Sequence, residues 1–185
     1  MNKLIYVAVF GVALAQLQGC TTAGGEPINL DRRSAGAYIG DQEIEVRAKN
    51  RMRDTFPIKV ANNISSTSYN RQLLLTGQVP DQATRAKAEE LAKGILEVRT
   101  VFNELTVSGA TSLGSGANDA TITTGVKTRL LREKTVPGTK IKVVTENGVV
   151  YLMGLLKRAE ADTATEIVRN TAGVTKVVVL FEFID

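Results

Sequence analysis

The sequence predicts an α+β protein in which two copies of one α-β-β-α-β unit follow each other along the chain, each with two helices against one face of a small sheet. Three observations lead there. Residues 41–107 and 120–185 are nearly equal in length. Between them SGATSLGSGAND (108–119) has the composition of a linker, with no charge before Asp119. The same succession of patterns runs through both halves, which is the mark of an internal repeat.

Each unit opens with an apolar residue at every fourth position: Ile44, Ala48 and Met52 in the first, Ile122, Val126 and Leu130 in the second. At about 3.6 residues per turn these line one side of a helix. A β-rich run around a polar turn follows. In the first half it is KVANNISSTSYNRQLLLTG, with a long, loose turn near Ser65 to Arg71; in the second it is KIKVVTENGVVYLMG. Asn147-Gly148, set between alternating apolar residues, signals a type I′ hairpin because both central positions need φ > 0. Each hairpin closes on a glycine, Gly77 or Gly154, expected to admit a bulge or a close helix approach. DQATRAKAEELAKGIL and RAEADTATEIVRNTAG then read as charged helices, with Ala83, Ala86, Leu91 and Ile95, and Ala161, Ala164, Ile167 and Val168, on their inner sides. EVRTVFNELTV and GVTKVVVLFEFI supply the closing strands.

Upstream, Met1, Asn2 and Lys3 make a short positive start, and Leu4–Leu17 is an apolar run whose one polar interruption is Gln16. At about 1.5 Å of rise per residue the run falls short of a ~30 Å hydrocarbon core, so it suits a secretory leader (1–19) rather than a membrane span. LAQLQGCTT places the single cysteine, Cys20, directly after Gly19 and three positions after Leu17. That arrangement resembles a bacterial lipobox, with Gln18 where a small or β-branched residue is usual. The resemblance implies a diacylglycerol thioether on Cys20, acylation of the new N-terminus and, from Thr21, sorting to the outer membrane; an incidental free thiol is the other reading. Buried acyl methylenes contribute about 0.8 kcal/mol each, enough for three chains to hold a protein without a spanning helix. Residues 20–40, small and polar without a sustained period, have the composition of a flexible tether.

The formal net charge is +4, with no His, no Trp and one Cys. This composition excludes most zinc, haem and thiol chemistry and leaves no catalytic His, so no cofactor or metal is expected. No nucleophile stands beside a base, and no enzyme is expected. Glu89 and Glu90 are adjacent and point to different sides of a helix, while GSG (114–116) lacks the flanking elements of a phosphate-binding loop. Export and the lack of interleaved aromatics argue against nucleic acid as a partner.

The glycine in LLLTGQV and YLMGLLK, the acidic Ala-rich helix after it, and the closing EVRTVFNEL and GVTKVVVLF resemble the BON domain. The first copy keeps Val98, Val101 and Asn103 of a G-V-x-x-V-x-N pattern, with Glu97 for the glycine; the second has Gly173 and Val174, with Val179 for the Asn. Two such units behind a lipobox resemble the dual BON-domain outer-membrane lipoproteins. The resemblance implies tandem BON domains, each with two helices on one face of a small mixed sheet. It also implies attachment to anionic phospholipid through the second domain, support of outer-membrane integrity, and the outer-membrane protein assembly machinery as a further partner.

A surface for such attachment is available in TITTGVKTRLLREK: Lys127 and Lys134 lie on one side of the Ile122-Val126-Leu130 stripe and Arg129 on the other, beside Thr121. Long cationic stems flanking an apolar face can reach phosphate oxygens while covering acyl surface. The same stripe equally fits a helix packed on its own sheet. In EIEVRAKNRMRDTF the basic residues are distributed around the helix, so a concentrated phosphate-binding face is not expected there. The alternative function is a protein-interaction adaptor that docks envelope machinery on exposed sheet edges.

Overall fold

In the computed structural model, which describes residues 32–108 and 116–185, the two units share the expected order. The first comprises α1 (Ala35–Thr55), a short α2 (Ile58–Asn62), β1 (Ile64–Tyr69), β2 (Gln72–Val79), α3 (Gln82–Lys93), β3 (Thr100–Asn103) and β4 (Thr106–Val107). The second comprises α4 (Gly116–Arg132), a 3-10 turn (Gly138–Lys140), β5 (Ile141–Glu146), β6 (Val149–Leu156), α5 (Arg158–Arg169) and β7 (Lys176–Phe183). The hairpin strands pair antiparallel, and the closing strand joins β2 or β6 in parallel. Parallel pairing requires a crossover, and α3 and α5 provide it. Each sheet is therefore mixed, with β2 or β6 at its centre.

Two boundaries and one buried face differ from the sequence expectation. Helix α1 begins at Ala35, inside the segment read as tether, because the Ser34 hydroxyl accepts from the Ala37 amide at 3.1 Å and caps it. Helix α4 begins at Gly116, so Gly116 and Asp119 are helical rather than linker. Ala83 and Ala86 are exposed, and the inner stripe of α3 is Ala88, Leu91 and Ala92, with Ile95 just beyond its end. Alanine favours a helix on any face, so it does not mark the buried one. Cys20, the leader, the tether up to residue 31 and linker residues 109–115 lie outside the described residues.

The long, loose turn expected near Ser65 to Arg71 is instead a two-residue turn. Ser65–Tyr69 belong to β1, Tyr69 pairs with Gln72, and Asn70 and Arg71 take φ of 50° and 65°. Asn147 and Gly148 do the same at 51° and 76°, the type I′ geometry expected for the second hairpin. What holds a residue as bulky as arginine in the left-handed region is Asp41. Its carboxylate accepts from the Asn70 and Arg71 amides, both at 2.7 Å, and from the Ser68 hydroxyl at 2.7 Å, and it pairs with Arg33 at 2.6 Å. Asp119 repeats the device, accepting from the Asn147 and Gly148 amides at 2.8 Å. In each unit the aspartate sits one helical turn before the first stripe residue, so a single helix both packs the sheet and fixes the hairpin.

At the opposite end of the first hairpin, Gly77 has φ of +118°, and a Cβ there would lie 1.8 Å from the Asn63 carbonyl oxygen. The glycine expected at a close approach is thus required by backbone rather than by a helix.

The helical stripes bury as expected. Ile44, Ala48 and Met52 join Leu73, Leu75, Val79 and Leu105 in one core; Ile122, Val126 and Leu130 join Val150, Leu152, Leu156 and Val168 in another. A third core was not foreseen: Tyr69 and Leu74 of the first unit pack with Tyr151, Met153 and Leu180 of the second, flanked by Phe102, Val144 and Val178. The helix-free faces of the two sheets are pressed together, giving helices outside and sheets within. The rim is polar. Arg99 pairs with Glu182 at 2.7 Å, Asn70 donates to Glu182 at 2.8 Å, and the Tyr69 hydroxyl donates to the Lys140 carbonyl at 3.2 Å.

Arg32 adds a strap, donating to the Leu155 carbonyl at 3.0 Å and pairing with Glu160 at 2.6 and 2.8 Å. Chiefly through the Arg32 hydrogen bond, the Glu160 carboxyl is held down at about 2, against an ordinary value of about 4.3. A depressed carboxyl stabilises the fold above its unfolded pKa and loses that contribution as pH falls through the folded one. The strap is expected to hold at pH 5 and to release between about pH 4 and 2, read as loss of amide-exchange protection around Arg32; Glu160→Gln removes the dependence.

Candidate lipid-facing surface

Helix α4 carries the residues singled out in the sequence, and the structure divides them. Ile122, Val126 and Leu130 are 3%, 0% and 0% exposed and line the core under their own sheet. They cannot touch a lipid, which corrects their assignment as phospholipid-binding residues: the stripe at helical spacing is the fold's own seam. Thr121, Lys127, Arg129 and Lys134 are exposed. Arg129 has other work, since its guanidinium donates to the Asn170 carbonyl and to the Thr171 hydroxyl, tying α4 to the end of α5. Lys134 lies beyond the last helical residue, Arg132, in the turn that follows.

Around this remainder the structure adds two residues that the sequence reading passed over. Leu131 is 58% exposed one turn after Lys127, and Arg132 is exposed beside it. A leucine on a helix whose stripe is already complete had no reason to be inside; counting the stripe outward from Leu130 would have found it. Among the described residues, Lys127, Arg132 and Lys134 form no ion pair. The nearby Glu133 is turned toward Thr135, whose hydroxyl and amide hold its carboxyl below the usual range.

Several charges elsewhere are occupied within the protein. On α1, Arg47 pairs with Glu43, Arg51 donates to the Leu91 carbonyl and Arg53 to Asn50. Glu89 pairs with Lys93 and accepts from Asn103, whereas Glu90 pairs with Lys87, so the adjacent carboxylates do separate jobs. Asn103, retained from the closing pattern, also donates to the Arg85 carbonyl and fastens β3 to α3. Glu97 takes φ of 71° where Gly173 takes 85°, so the position keeps its left-handed turn even where glycine is replaced.

Two hairpin-and-crossover units with a glycine at the same strand position invite comparison with known families, and the BON-domain model matches residues 40–109 and 118–185. The chain belongs to the BON family. It is 35% identical over 191 residues to the outer membrane lipoprotein DolP of Haemophilus influenzae, covering 100% of this chain and 99% of that one. It is 36% identical over 155 residues to the 21 kDa hemolysin of Actinobacillus pleuropneumoniae, covering 84% and 80% of the two chains. Against osmotically-inducible protein Y of Escherichia coli it is 31% identical over 172 residues, covering 90% and 85%. Within the BON family it stands with DolP, as an outer-membrane lipoprotein. Among the described residues no helix is long and apolar enough to cross a membrane.

Proposed function

We propose that acyl chains on Cys20 anchor this BON protein and that its second domain binds anionic phospholipid through the solvent side of α4 and the turn after it, supporting outer-membrane integrity and envelope assembly. The observation that carries the reading is the group Lys127, Leu131, Arg132 and Lys134, three cations without acidic partners around an exposed leucine. Each cation near an anionic surface contributes on the order of 1 kcal/mol, and Leu131 adds a shallow apolar contact. Such adhesion is weak and salt-sensitive by itself, and an anchor at Cys20 raises the local concentration that makes it effective.

The Cys20→Ser form, which cannot be acylated, is expected to float with phosphatidylglycerol vesicles and not with phosphatidylcholine vesicles, and to be released by salt. Lys127→Glu with Lys134→Glu abolishes the recovery. Equal recovery with both lipids rejects the reading. Mass spectrometry of the native protein is expected to show a tri-acylated Cys20 at its N-terminus.

A further inference from the structure

On the first domain, away from α4, a groove of ≈ 400 Å³ runs between α1 and the outer edge of β1. Gln42, Glu45, Val46, Lys49 and Arg53 form its helix wall, and Ile64 and Ser66 belong to its strand wall. We propose that this groove takes an extended, acidic polypeptide segment of another protein, added to β1 as a further strand.

The edge is built for it. β1 is the outermost strand of its sheet, and in a two-residue hairpin alternate residues turn their amides away from the partner strand. The Ser68 amide is one of these, and it donates to Glu45 at 2.8 Å. Strand periodicity puts the amides of Ser66 and Ile64 on the same outer side, within the groove. Glu45 thus closes one end of the edge, backed by Lys142 of the second domain at 4.0 Å, and leaves the stretch below it open. The Ser66 hydroxyl is buried there with no hydrogen-bond partner. Unpaired edge groups beside a helix-lined trough are what strand addition uses: main-chain bonds supply affinity and side-chain contacts supply selection.

Charge names the occupant. Lys49 and Arg53 follow Glu45 along α1 at helical spacing, and neither forms an ion pair among the described residues. The Arg53 end of the groove, which Ala61 and Asn62 of α2 also line, is cationic, and its other end carries the carboxylate that already serves Ser68. A segment with Asp or Glu toward the Arg53 end complements both. Val46, 59% exposed, offers an apolar contact between them. The occupant is peptide rather than lipid because an edge offers outward carbonyls as well as outward amides, and a main chain answers both whereas a phosphate diester can only accept. The proposal is independent of the α4 surface.

The test is selection of a phage-displayed random dodecapeptide library on the Cys20→Ser chain, then NMR titration with the enriched peptides. Enriched sequences are expected to carry Asp or Glu beside β-prone residues and to shift the Ile64 and Ser66 amides. Lys49→Glu with Arg53→Glu is expected to weaken binding about tenfold or more, while Lys127→Glu with Lys134→Glu leaves it unchanged. Ser66→Pro removes an outward amide without a ladder bond to β2 and is expected to abolish binding; if that variant fails to fold, the charge reversal decides. No enrichment, enrichment without acidic residues, shifts elsewhere, or equal binding by the charge-reversed chain overturns the proposal. So does phosphatidylglycerol vesicle binding that moves the same amides and displaces the peptides.

Discussion

Asp41→Ala is expected to lower the unfolding free energy of the chain by about 3–5 kcal/mol, the range for removing one partner from a buried charge pair, measured by urea denaturation. Asp41 is 1% exposed and serves four groups: the Ser68 hydroxyl, the amides of Asn70 and Arg71, and the Arg33 guanidinium. Without it two turn amides lose their acceptor while Arg71 still has to occupy left-handed backbone. Arg33 would keep its place over the Tyr69 ring, 4.1 Å from the centroid, but lose its pairing with Asp41. Asp119→Ala is expected to cost less, about 1–3 kcal/mol, because among the described residues it holds two amides and one of its turn residues is Gly148. Asp41→Asn, which keeps one acceptor oxygen, should fall between wild type and alanine.

Gly77→Ala is the second large effect, a loss of about 3 kcal/mol or more, combining a φ that L-residues rarely adopt with overlap against fixed backbone. The Asn63 carbonyl that a Cβ would strike accepts from the Gln78 amide at 3.2 Å, so it cannot retreat without opening the hairpin. Gly154 is the control. It pairs in the same register, with Ile141 where Gly77 pairs with Ile64, but its φ is ordinary and the nearest atom to a Cβ is the Lys140 carbonyl at 3.2 Å. Gly154→Ala should therefore cost no more than about 1 kcal/mol. Comparable melting losses for the two variants would contradict the steric account.

Much of this fold is written in periodicity. The stripes at 44-48-52 and 122-126-130, the Asn147-Gly148 turn and the crossover helices follow from local spacing, and all of them form as expected. The first turn was harder to see because Asn70-Arg71 lacks a glycine; its stabiliser, Asp41, is remote in sequence, and the matching D-x-x-I in DQEI and DATI was the available clue. The second covered face of each sheet was also legible in principle. LLL in β2 and VVYLM in β6 are continuous rather than alternating apolar runs, as strands buried on both sides must be. The candidate lipid surface was readable only as a neighbourhood. Helical spacing places residues around an axis but does not say which side the sheet will claim, and that choice moved Ile122, Val126 and Leu130 inside.

The third core means that duplication here gave each copy its lid. A lone half would present an oily slab, Tyr69 and Leu74 on one or Tyr151, Met153 and Leu180 on the other, and would have to find a substitute cover. Severing the gene between the repeats should thus yield fragments that clump or self-pair. The doubled body also has two helical broadsides, which can acquire different occupations because neither is needed to shelter its neighbour.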